Sequence, residues 1–71
     1  MAEDVRAHIT GVVFQIIAGA GTTVAAGDPI LILESMKMEI PVEAPHAGVV
    51  RELRVSEGQT VQEGEVVAIL D

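Results

Sequence analysis

The sequence contains no cysteine, no tryptophan and no tyrosine, and Phe14 is its single aromatic residue. Without cysteine the chain forms no disulfide, no thiolate metal site and no thiol nucleophile. Four basic residues stand against eleven acidic ones, a formal charge of −7, which argues against nucleic acid or an anionic membrane surface as a partner, since both require clustered Lys and Arg. Partners with basic faces are expected instead. The longest apolar run, residues 11–21, is broken by Gln15 and falls short of the roughly 20 residues needed to cross a bilayer. The start, Met1-Ala2-Glu3-Asp4, is acidic where a secretion signal is basic, so a cytoplasmic protein is expected.

What the sequence does contain is small and apolar. Val, Ala, Ile and Leu dominate an apolar fraction of 49% in 71 residues, a composition suited to thin strands packed face to face. This length allows one domain, residues 1–71, burying about 60% of its unfolded surface. Little is left over for a catalytic cleft.

The chain is internally duplicated. Residues 5–33 align with 42–70 at a constant offset of 37 with no gap, and eleven of the 29 pairs are identical, among them Val5/Val42, Gly11/Gly48, Val13/Val50, Val24/Val61 and Leu33/Leu70. Each copy contains the segment G-x-T-V-x-x-G, whose glycines suit turns or close backbone approach. In the first copy strands are expected over residues 12–18, at Thr23-Val24 and over 29–33; in the second over 49–55, at Thr60-Val61 and over 66–70. A further strand is expected over 38–43. Pro29, Pro41 and Pro45 fit strand starts or edges. Two similar halves imply an all-β, flattened barrel or sandwich with pseudo-twofold symmetry. The offset also relates Glu34 to Asp71 and Met38 to Met1, so the chain ends should lie together on the far side from the bend at Met36-Lys37.

That bend holds the one lysine of the chain, in Glu34-Ser35-Met36-Lys37-Met38-Glu39-Ile40-Pro41. Two methionines beside a lysine are unusual for a solvated position, and their soft thioethers suit a contact that forms and breaks. A two-residue hairpin here lacks the Asn-Gly or Asp-Gly that such turns prefer, so something other than folding fixes these residues. Such a tip presents an amine to an outside enzyme, which must help remove its proton before acylation.

Met36-Lys37-Met38 preceded by Glu34 resembles the attachment motif of biotinyl domains, and the two glycine-punctuated copies resemble the framework shared by biotinyl and lipoyl domains. The resemblance covers nearly the whole chain and is similar in form to small bacterial biotin/lipoyl attachment proteins. It implies a barrel-sandwich hybrid of two four-stranded sheets with the attachment lysine on a hairpin turn, and biotin amide-linked to Lys37 by a biotin protein ligase that recognises Met36, Met38 and Glu34. It implies a carboxyl carrier, not itself an enzyme: a biotin carboxylase loads CO2 on the biotin using ATP and bicarbonate, and a carboxyltransferase passes it on. A monomer is expected in isolation. Ser35 stands where many biotinyl domains have alanine, His8-Ile9-Thr10 replaces a proline-containing bend, and the unbroken register leaves no room for the protruding thumb of some relatives.

Two other readings share features with this one. A lipoyl carrier of a 2-oxoacid dehydrogenase system keeps the fold, but such domains centre on Asp-Lys-Ala. A non-carrier barrel-sandwich interaction domain occurs within longer chains bearing helical hairpins. Elsewhere, His8 and His46 are out of register and read as partly exposed strand residues, not metal ligands. Ser35 has no assignable His and acid partner, so it is not read as a nucleophile. Arg51 and Arg54 read as a solvated edge, and Glu39 as solvated surface.

Overall fold

The computed structural model describes residues 2–71. It contains eight strands: β1 (Glu3–Arg6), β2 (Gly11–Ile16), β3 (Thr23–Val24), β4 (Pro29–Ser35), β5 (Met38–Glu43), β6 (Gly48–Leu53), β7 (Thr60–Val61) and β8 (Val66–Leu70). No helix occurs among the described residues. The strands form two four-stranded sheets, ordered β5-β4-β2-β7 and β1-β8-β6-β3, with every pairing antiparallel. The offset of 37 carries the second order onto the first strand by strand, so the expected two-sheet, pseudo-twofold sandwich holds.

Neither copy completes a sheet alone. The short strand of the second copy, β7, pairs with β2 of the first, and β3 pairs with β6. Each copy therefore lends a two-residue edge to the other, and edges this short offer little template for unwanted pairing. The turns that lead into them lock the exchange: the Gly21 N–H donates to the Val50 carbonyl at 2.7 Å and the Gly58 N–H to the Val13 carbonyl at 2.7 Å. Both glycines have φ near 90°, a conformation that costs a residue with a Cβ about 1–2 kcal/mol.

The core follows the same symmetry. All sixteen buried apolar residues fall into eight pairs at the offset: Val5/Val42, Ala7/Ala44, Val13/Val50, Ala18/Val55, Val24/Val61, Ile30/Val67, Leu31/Ala68 and Leu33/Leu70. Only three pairs differ in residue. Leu31 and Ile30 of the first copy exceed Ala68 and Val67, while Ala18 is smaller than Val55, so the bulk is redistributed between copies.

Strand limits depart slightly from expectation. β2 ends at Ile16 because the N–H groups of both Ile17 and Ala18 turn to one acceptor, the Ile30 carbonyl, each at 2.9 Å. β4 runs two residues further than expected, to Ser35, and β1 precedes the part of the repeat assigned a strand. His8 and His46 lie in the bends before β2 and β6, not in strands. β6 is an interior strand, so Arg51 lies on its outer face instead of at an edge.

The register also places the chain ends. Glu3 and Val50 both pair with Leu70, and this end of the sheet adjoins the bend at Ala44, whose N–H donates to the Asp28 carbonyl at 2.8 Å. Asp28 is at the start of β4, and Lys37 is just past its finish. Glu3 and Asp71 therefore sit at the end of the 33 Å long axis remote from Lys37. The Met1 half of the expected Met38/Met1 relation lies outside the described residues.

Leu33 and Leu70 are fully buried at equivalent positions. Leu33→Ala and Leu70→Ala are each expected to cost about 2–5 kcal/mol, and by similar amounts, in urea unfolding. A full loss at one position with less than about 1 kcal/mol at the other would contradict a core shared equally by the two copies.

Candidate functional site

The site is the β4–β5 hairpin. Its ladder runs Leu31↔Val42, Ile32↔Pro41, Leu33↔Ile40, Glu34↔Glu39 and Ser35↔Met38, leaving Met36 and Lys37 as a two-residue loop. Leu31, Leu33 and Val42 are buried, and a slip of one residue would turn them to solvent. The register is thus set by the core, and the loop must close on whichever residues lie between.

Both loop residues take left-handed backbone, with φ of 53° at Met36 and 65° at Lys37. This is the geometry of a two-residue turn matched to the twist of its strands, usually supplied by Asn-Gly. They are the only described residues other than glycine with positive φ. Each costs about 1–2 kcal/mol relative to ordinary backbone. The expected strained turn is present, and it makes a stiff tip.

At that tip Lys37 is exposed and has no ion-pair partner within 4.0 Å among the described residues. Met36 is 92% exposed and Met38 63%. Such exposure of unbranched apolar side chains leaves both thioethers free for a partner. Glu34 and Glu39 are exposed and directly opposite one another, a like-charge pair that weakens the hairpin slightly, and neither neutralises the lysine. Ser35, half-buried opposite Met38, has no hydrogen bond to a histidine or acid among the described residues. The structure thus brings together Glu34, Met36, Lys37 and Met38, and leaves the histidines apart.

Gly11 is a residue whose part in the site was not read from the sequence. A Cβ on it would come 2.7 Å from the Glu34 carbonyl oxygen, under the base of the hairpin. Gly48 stands in the same relation to the Asp71 carbonyl. The signal was available in the Gly11/Gly48 identity, which marks close approach and not a turn.

The arrangement suits a covalently attached group better than a bound one. No pocket opens among the described residues, and no group of three or more metal-ligating side chains occurs among them. A single exposed amine on a rigid projection has room for an amide-linked group and nothing to enclose it.

Comparison with known proteins agrees with this geometry. The model of the family described as "Biotin-requiring enzyme" matches residues 1–70. The chain is 46% identical over 70 residues to a biotinylated protein TB7.3 homolog of Mycobacterium leprae, covering 99% of each. It is 38% identical over 63 residues to pyruvate carboxylase of Bacillus subtilis, covering 89% of this chain and 6% of that protein. In structure it is similar to part of the urea carboxylase of Kluyveromyces lactis, with a TM-score of 0.95 and 34% identity over 100% of this chain and 6% of the other. It thus spans nearly all of the small relative and a small fraction of each carboxylase. With a lysine-tipped hairpin on a duplicated β-sandwich and matches of this extent, the chain belongs to the biotin-requiring enzyme family, as a biotin carboxyl carrier domain.

Proposed function

We propose that biotin is joined to Lys37 Nζ, and that residues 1–71 act as one biotinyl domain carrying a carboxyl group between two enzyme sites. The observation that most supports this is the placement of the only lysine on an exposed, left-handed turn whose register the core enforces. In the joining step, a biotin protein ligase holds the biotin carboxyl as its adenylate. The Lys37 ammonium loses two protons in all, a C–N bond forms at the acyl carbon, and AMP leaves with the C–O electron pair.

Attached biotin supplies a ureido nitrogen that takes up and releases a carboxyl group. The chain's own residues contribute position. The hairpin holds Lys37 clear of both sheets, and Met36 and Met38 offer the ligase apolar contacts that dissociate readily. Glu34 marks the approach to the lysine. The carrier catalyses neither half-reaction. By tethering its cargo it raises the effective concentration at a biotin carboxylase, which uses ATP and bicarbonate, and at a carboxyltransferase. In this reading the chain works in the cytoplasm beside these enzymes and is a monomer when free.

The intact mass of the protein co-expressed with a biotin ligase should show one biotinyl increment, mapped to Lys37 by peptide analysis. Lys37→Arg should show none and should pass through streptavidin. A lipoyl increment instead would identify a 2-oxoacid dehydrogenase carrier, and no increment would favour a non-carrier interaction domain.

Met36→Asn should separate folding from recognition. Asparagine tolerates left-handed backbone, so the variant is expected to gain about 1 kcal/mol of stability while its rate of loading by the ligase falls at least tenfold. Unchanged loading would show that the ligase does not read Met36.

A further inference from the structure

Gly11 stands in a strand without needing the backbone freedom of glycine. Gly21, Gly27, Gly58 and Gly64 have φ between 88° and 90°, whereas Gly11, the first residue of β2, is not among the residues with positive φ. An L side chain fits such backbone, and glycine within a strand weakens it while marking the close approach of another main chain. Space is therefore the reason for it. A Cβ at this position would lie 2.7 Å from the Glu34 carbonyl oxygen, 3.3 Å from the Glu34 carbonyl carbon and 3.4 Å from the Ser35 Cβ. The two shortest contacts are with main chain, which cannot swing aside as the end of a side chain would.

Which strand would yield follows from what holds each one. β2 is pinned on its other flank: Gly11 pairs with Val61, which is fully buried. Two residues on, buried Val13 donates its N–H to the Gln59 carbonyl at 2.8 Å and accepts from the Gly58 N–H at 2.7 Å. β4 is pinned as far as Leu33, which is also fully buried. Beyond it the ladder with β2 ends at Val12↔Glu34, and only β5 accompanies the chain to the tip. The part free to move is the hairpin from Glu34 outward. The Glu34 carbonyl would have to retreat by several tenths of an ångström to reach ordinary contact distance. With its pivot at Leu33, the hairpin carries Lys37 about 10 Å further out, so that retreat becomes a displacement of about 1–2 Å at the tip.

We infer that Gly11 is a positioning residue for the loading of Lys37: by carrying no Cβ it lets the base of the hairpin lie against β2, and so fixes where Glu34 and the amine stand relative to the rest of the sandwich. This rests on the biotin attachment proposed above. Gly11 touches neither reactant and acts through the backbone of Glu34. Loading responds to such placement because the amine must meet an acyl carbon held in another protein, and a misplacement of about 1 Å can slow a reaction about 100-fold.

The duplication supplies the control. Gly48, the counterpart of Gly11 at the offset of 37, begins β6 and stands against the Asp71 carbonyl in the same way. The backbone that would shift there is the end of β8, at the opposite end of the 33 Å axis from Lys37. A crowded strand is common to both positions, but displacement of the lysine belongs to one.

The test compares Gly11→Ala with Gly48→Ala in the full chain, loaded by a biotin protein ligase with biotin and ATP at a temperature where both are folded. Gly11→Ala should lower kcat/KM for loading at least tenfold, and Gly48→Ala should change it less than twofold. A second readout uses the unloaded proteins: amide NMR signals should move at residues 33–40 in Gly11→Ala, and at residues 48–50 and 68–71 in Gly48→Ala. Equal loading of Gly11→Ala and the parent, equal losses in the two variants, or unmoved hairpin signals in Gly11→Ala would overturn the inference. An unfolded Gly11→Ala overturns it too, because the sheet and not the hairpin would then have yielded. If Gly48→Ala alone fails to fold, Leu70→Ala replaces it as the destabilised variant remote from Lys37; loading like the parent supports the inference and slow loading overturns it. A parent that takes no biotin fails the proposed function and this inference with it, whereas a loaded parent matched by Gly11→Ala fails only the inference.

Discussion

The structure depends on the burial of Leu31, Leu33 and Val42, because these side chains fix how β4 lies against β5. Once that register is set, two residues must close the hairpin, and both must adopt left-handed backbone. Glycine or asparagine would do so at lower cost. The chain instead has methionine and lysine there, so the hydrophobic core stabilises a turn that its own residues disfavour by a few kcal/mol in all. The site inherits its stiffness from the core and its chemistry from the turn.

Duplication explains how so small a chain sustains this. Each copy is incomplete, because its two-residue strand belongs to the other copy's sheet, and sixteen buried residues arise from eight positions used twice. The twofold relation also disposes of the chain ends. What is a hairpin tip in one half is a pair of chain ends in the other, so Lys37 and the residues around Glu3 and Asp71 occupy opposite ends of the long axis. Gly11 and Gly48 show the same division: one admits the hairpin base, the other the last carbonyl of the chain. The symmetry is relaxed at the joint between the copies, where the hairpin lies, and on the outer faces.

The surface charges contribute little to stability. The ion pairs Arg6–Asp4 and Arg54–Glu52 join side chains that are each about half exposed, and such pairs are worth about 0–1 kcal/mol. Their value is in where they are absent. Among the described residues, the hairpin tip and the face beside it hold acids without ion pairs and exposed apolar groups, while Arg51–Asp71 and Arg54–Glu52 pair on the opposite face.

The duplication, the strand positions at Thr23-Val24, Thr60-Val61 and 38–43, and the singular position of Lys37 were legible in the amino-acid sequence, because repeated glycines, β-branched runs and residue counts are local properties of the chain. The family resemblance rested on the same residues. Three things were decided only in the folded molecule. The bulges at Phe14 and Arg51 belong to the pairing of β2 with β4 and of β6 with β8, and they determine which side chains share an outer face. The close approach of Gly11 to Glu34 is a contact between strands, invisible to spacing along one of them. Arg51 fell onto an interior strand because sheet order, not local propensity, settles which strand is central, while His8 and His46 fell into the bends before β2 and β6. Sequence pattern thus determined the elements and the lysine that serves them, and tertiary packing decided the neighbours each one meets.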